Sequence, residues 1–128
     1  MGDYSVTLNS ESNIIFAVHK GPWTSEDSYP FVDEIIKLAS SSGVKKVLID
    51  HRALQLDVSM VDLFYRGLDV VSSKTLILVS KVAMVYGTEI NQNKDIYSFF
   101  ETVLRNRGLN IIVFPGVLDK AIDWLTED

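Results

Sequence analysis

Asp50, His51 and Arg52 stand in a row directly after the apolar run Val47-Leu48-Ile49. A carboxylate, an imidazole and a guanidinium released together could hold an anion or handle a proton. The guanidinium fork grips a carboxylate or phosphate with two bonds, and an imidazole changes charge near neutral pH. Successive residues of an extended chain point to opposite sides, so Asp50 and His51 share one pocket only if the chain turns between them. The plainer role is structural, with Asp50 or Arg52 fixing the loop by hydrogen bonds. As a ligand site, the crevice past this strand is expected to gather Asp50, Arg52, Tyr86 and Glu89. Arg52 would anchor a carboxylate or phosphate head group, and Leu54, Leu56 and Phe64 would supply apolar walls.

Other chemistries find less support. A Ser-His-Asp triad would have to recruit His19 or His51, the two histidines of the chain, and neither lies near a nucleophile elbow. Those histidines fall on different strands, and no cluster of histidines or carboxylates has metal-ligand spacing. Glu89, Asn91, Asn93 and Asp95 alternate in the manner of a calcium loop, but the required glycine and terminal glutamate are missing. The seven glycines are scattered, so no glycine-rich loop cradles a phosphate. No catalytic residue, metal ligand or cofactor is assigned, and no motif names a reaction.

These residues must be positioned by the elements around them. Tyr4 to Leu8 alternates apolar and polar, the mark of a half-buried strand. Asn9 to Asn13 is turn chemistry, and Ile14 to His19 is apolar on both faces, so the two form an antiparallel hairpin ended by Lys20-Gly21-Pro22. Thr24 to Asp27 has the spacing of a capping box, ahead of a helix carrying Phe31, Ile35, Leu38 and Ala39. Pro30 either opens that helix or kinks it. The strand at Val47–Asp50, apolar on both faces, belongs inside a helix-covered sheet. It should be flanked by the strands centred on Ile15–Val18 and Val82–Val85.

A loop through Ala53 to Asp57 follows. Ser59 with Asp62 repeats the capping spacing for a second helix facing inward through Val61, Phe64, Leu68 and Val71. Leu76 to Val79 fits the end of that helix, a connector or a strand start. Lys81 to Tyr86 reads as a strand. Ile96, Phe99, Phe100, Val103 and Leu104 make a helical stripe, closed by Arg105, Arg107 and a left-handed Gly108. Leu109 to Phe114 is the last strand, and the last helix turns Leu118, Ala121, Ile122 and Leu125 inward. Trp124 is expected to pack over the sheet, whereas Trp23 and Tyr65 fall off the inward stripes and could line a groove or partner surface.

The order β-β-α-β-α-β-α-β-α gives one α/β domain over residues 1–128, a mixed sheet that is mostly parallel with an antiparallel N-terminal edge hairpin and helices packed on it. At 128 residues, 47% apolar and 23% charged, the chain can bury a core without staples. It has no cysteine, hence neither disulfide nor thiolate chemistry. The net charge of −5 and pI of about 4.9 argue against nucleic acid. No apolar run approaches the roughly 20 residues of a membrane span, and Met1-Gly2-Asp3-Tyr4 does not read as a signal peptide. A cytoplasmic location is expected.

Several short motifs, in order, resemble the SpoIIAA-like family of bacterial proteins within the STAS superfamily. They are Gly21 with Thr24-Ser25-Glu26-Asp27, Val47-Leu48-Ile49-Asp50 with Arg52, and Lys81-Val82-Ala83-Met84-Val85. Asn106-Arg107-Gly108 ahead of Val113-Phe114, and Ala121 with Trp124-Leu125, complete the set. The resemblance implies a STAS-like fold akin to CRAL-TRIO lipid-transfer domains. Better-known STAS relatives are anti-sigma-factor antagonists switched by phosphorylation of a serine after the central strand. Here that turn reads Asp50-His51-Arg52-Ala53-Leu54, without a serine, and Ser59 already serves as a helix cap. The expected function is a non-enzymatic binding or regulatory module holding a small apolar or amphipathic molecule. The alternative is a protein-interaction domain of the anti-sigma-antagonist kind. A small molecule, a regulatory protein or a second copy of the chain are the partners the sequence allows.

Overall fold

The structure, a computed structural model, describes residues 3–23, 28–56, 73–88 and 92–127. Its elements are β1 (Asp3–Asn9), β2 (Ile14–Trp23), α1 (Ser28–Ser42), β3 (Lys46–His51), β4 (Leu54–Leu56), α2 (Ser73–Leu78), β5 (Lys81–Tyr86), α3 (Gln92–Asn106), β6 (Ile111–Pro115) and α4 (Asp119–Thr126). The six strands form one sheet in the order β1-β2-β3-β5-β6, with β4 pairing the far end of β2. Only β1 and β2 run antiparallel; the other pairs are parallel. The central strand lies where its two apolar faces require. Val47 to Asp50 sits between Ile15–Val18 of β2 and Val82–Val85 of β5.

Alternation along the strands splits the core into two layers. Ile15, Ala17, Val47, Val82, Met84 and Ile111 face α1 and α3, where Phe31, Ile35, Tyr97 and Leu104 meet them. Ile14, Leu48, Ala83 and Val85 face the other way, against Ala121 and Leu125 of α4. Trp124 packs beside Phe114, with ring centroids 6.2 Å apart. The Lys81 ammonium sits 4.8 Å from the centre of the Trp124 ring and donates to the carbonyls of Trp124 (2.8 Å) and Glu127 (3.1 Å). A lysine from the start of β5 thus holds the carbonyl end of α4, where helices carry partial negative charge. Lys81→Met is expected to lower stability by about 1 kcal/mol, read as a fall in urea midpoint with an unchanged slope.

Two boundaries differ from the sequence reading. Lys20-Gly21-Pro22 does not end β2, which runs on to Trp23. Gly21 has φ 85°, a left-handed turn that re-aims the strand. Its last three residues then pair with β4 rather than β3. For the same reason Leu54 to Leu56 is a short strand instead of loop. Of the alternatives left open for Leu76 to Val79, the structure has a helical end, since α2 runs to Leu78. Pro30 is the third residue of α1, in the first turn, where its missing N–H breaks no helical bond. Gly108 has φ 97°, as a helix stop requires. The capping box at Thr24 to Asp27, and the second helix expected from Ser59 through Val71 with Tyr65, lie outside the described residues.

Candidate functional site

His51 continues the inward row of β3, two residues past Ile49, while Asp50 takes the opposite side of the sheet with Leu48. This alternation decides the fate of the expected crevice. Asp50 pairs in register with Val85 and His51 with Tyr86, so Asp50 and Tyr86 point away from each other across the sheet. The Arg52 Nε and Nη2 groups donate to the two carboxylate oxygens of Asp50 at 3.0 and 2.9 Å, and the Arg52 backbone N–H adds a third bond at 3.0 Å. Partial burial alone would raise the Asp50 pKa, but the hydrogen bonds and charge of Arg52 outweigh it and hold the carboxyl below its ordinary value. The bond to Asp50 in turn raises Arg52. Arg52 is committed to Asp50, on the far face from Tyr86, and is no anchor for a head group in a shared crevice. The pair ties down the turn between β3 and β4; with Arg52 largely solvated, its contribution is small.

Of the remaining expected site residues, Leu54 and Tyr86 fall in different clusters. Leu54 is buried against Trp23, beneath Ile96, Phe99 and Phe100 of α3. Tyr86 is buried with its ring stacked on Tyr97, 5.0 Å between centroids and 9° between planes. Leu56 lies in β4 opposite Trp23. Phe64 and Glu89 fall outside the described residues.

The structure assembles a different site on the α1–α3 face. There the sheet and the helices line a cavity of about 90 Å³. Its walls come from Phe31 and Ile35 of α1, Val47 and Ile49 of β3, Val82 and Met84 of β5, and Tyr97, Phe100 and Leu104 of α3, among others. Trp23 is among the lining residues, so the tryptophan that fell off the inward stripes borders a hollow. Among the described lining residues the polar ones are His51, Tyr97 and Thr75, and no side chain is a lysine, arginine or carboxylate.

Compared with models of known protein families, with curated proteins and with solved structures, the chain matches none. The site therefore rests on its own geometry.

Its most unusual feature is a row of rings across the strand ends. Tyr4, His19, His51 and Tyr86 occupy neighbouring positions on β1, β2, β3 and β5, each in or one step beyond the strand register. Centroids are 6.0 Å apart for Tyr4–His19 and again for His19–His51, and Phe31 lies over both histidines at 4.9 and 6.1 Å. His51 Nδ1 and Tyr97 Oη are hydrogen-bonded at 3.1 Å, and His51 Nε2 is buried with no hydrogen-bond partner among the described residues. Burial first, then the neighbouring His19, lowers the His51 pKa to about 3, against a smaller opposing pull from Asp50. At neutral pH the imidazole is uncharged. Burial also raises the Tyr97 phenol, which keeps its proton.

Sequence reasoning missed this cavity because its walls are the stripes it had already read as core. Phe31 and Ile35 on α1 and Ile96, Phe100 and Leu104 on α3 were legible as inward residues. Whether two inward stripes meet or stand apart depends on the distance between helices, which no periodicity encodes.

Proposed function

We propose that the chain is a non-enzymatic binding module that holds a small apolar or amphipathic molecule, with its apolar part between the sheet and helices α1 and α3. The observation that carries this reading is the cavity of about 90 Å³ with apolar walls and no charged side chain among its described lining. Such a space is several times what a single water needs, about 10–15 Å³, and apolar cavities take up apolar guests rather than water. The neutral state of His51 keeps charge out of the wall, so the wall favours hydrocarbon or aromatic parts over carboxylates. The resemblance to SpoIIAA-like chains, with a fold akin to lipid-transfer domains, points the same way.

Native mass spectrometry of the purified chain is expected to find a co-purifying small molecule that denaturation releases. Val82→Phe, which pushes a larger ring into the cavity, is expected to cut its occupancy at least about tenfold. A bare wild-type chain that also fails to take up added benzene overturns the reading.

A second reading, a protein-interaction domain of the anti-sigma-antagonist kind, draws on α2, where Leu76 and Ile77 are exposed, Ile77 at 70%. Ile77→Ser weakening a partner while the cavity ligand stays bound would favour it.

A further inference from the structure

The two edges of the sheet are treated differently by this sequence. At the β6 edge, the Val113 N–H donates to the Glu101 carboxylate at 2.7 Å, and Arg105 donates to the Ile111 carbonyl at 2.6 Å. Both side chains come from α3, and Pro115 at the end of the strand has no N–H to offer. That edge is blocked by the devices proteins use against unwanted strand pairing. At the other edge, β1 is seven residues long and six of them are exposed, with only Val6 partly covered. Among the described residues no strand pairs its outer side. It carries no lysine, arginine or proline, and its single charge is Asp3.

The sequence of β1 also matches itself when reversed. Antiparallel pairing of two copies about Val6 sets Tyr4 against Leu8, Ser5 against Thr7 and Asp3 against Asn9. Tyr4 and Leu8 are the two large apolar residues that β1 exposes, at 41% and 39%. They lie on the same side as Val6, where Tyr4 meets Phe31 of α1 at 5.7 Å, so an aromatic–aliphatic cross-strand pair would form beside α1. No like charges face each other in this register, since each Asp3 stands opposite an asparagine. A shift of one residue would lose the pairing of Tyr4 with Leu8.

We propose that β1 is a homodimerisation edge, on which a second copy of the chain adds its own β1 antiparallel about Val6 and continues the sheet across both protomers. The occupant is a second copy because the strand is complementary to itself in polarity, apolar pairing and charge. The contact is isologous, so it closes at two subunits. The β6 edge is blocked, so it does not carry the assembly further.

Charge exchange at Ser5 and Thr7 tests both the contact and its register. The two residues are exposed on the side of β1 away from α1, so neither substitution disturbs the core. Sedimentation equilibrium of the whole chain, across a hundredfold range of concentration centred on the order of 10 µM, is expected to show a monomer–dimer equilibrium. Ser5→Lys with Thr7→Lys sets lysine against lysine twice and is expected to weaken the dimer at least about tenfold. Ser5→Lys with Thr7→Glu sets lysine against glutamate and should stay near wild type, and all three chains should share one unfolding midpoint when measured at a concentration low enough for each to be monomeric. A wild-type chain monomeric throughout the range overturns the proposal. So does equal weakening by the two double variants, or insensitivity to both.

Discussion

Acidification from pH 6.5 to 5 is expected to cost the folded chain about 2 kcal/mol through His51 alone, and about 4 kcal/mol by pH 3. The ordinary histidine pKa is 6.5, and burial brings His51 to about 3 in the folded chain. Between those values the unfolded chain binds a proton that the folded chain refuses. Stability from this group is therefore whole above pH 6.5 and falls by about 1.4 kcal/mol per unit as the pH drops toward 3. The groups facing His51 are His19 on β2, Tyr97 on α3 and Tyr86 on β5, and Asp50, its neighbour in the chain on the other face, acts on it through charge. Their contributions cancel when wild type is compared with His51→Phe, which keeps a ring in the row and removes the titration. Urea unfolding of both proteins from pH 7.5 to 4.5 should show the gap narrowing or reversing as the pH falls. Parallel stability curves would mean that His51 is protonated without cost, and so that it is not buried as described.

The second large effect is expected at the α4 face. Leu48 is fully buried between Ile14, Val85 and the helix residues Ala121 and Leu125. Truncation there removes apolar burial and leaves a hole in a layer held by one short helix, so Leu48→Ala is expected to cost about 4 kcal/mol. Ile35→Ala, on the opposite face and lining the cavity, removes a side chain of the same size that already borders empty space. Atoms facing a void have fewer contacts to lose, and its cost is expected to be nearer about 2 kcal/mol. Urea midpoints of the two variants check the order. A larger loss for Ile35→Ala would show that the helix pair, not α4, seals the tighter layer.

Much of the fold could be read from the residues because each choice was local. Val47-Leu48-Ile49 is apolar at every position, and a strand with no polar side has nowhere to lie except between two others. Ala121 and Leu125 recur one helical turn apart and meet Leu48. The kink at Gly21 was harder. Lys20-Gly21-Pro22 has the composition of a stop, and only the pairing with Leu54 and Leu56, more than thirty residues later, makes it a bend inside a strand. The alternation of Leu54, Gln55 and Leu56 was the one local hint.

The candidate site was less legible, for a geometric reason. Asp50, His51 and Arg52 are adjacent in sequence, which invites reading them as one site. The pleat of β3 sends Asp50 to one face and His51 to the other, and the turn returns Arg52 to Asp50. The residue with the more consequential surroundings was the histidine between two charges. Its neighbours His19, Phe31 and Tyr97 come from three other elements. Nothing in the spacing along the chain brings those four rings together.

The hollow under α1 and α3 also has a mechanical meaning. Unfolding eliminates it, so the folded chain occupies more volume than its atoms require, by roughly 50 mL/mol for a void of this size. Hydrostatic pressure works against that excess volume and against no particular bond. A guest that fills the void removes the excess, and the occupied chain should withstand compression that opens the empty one.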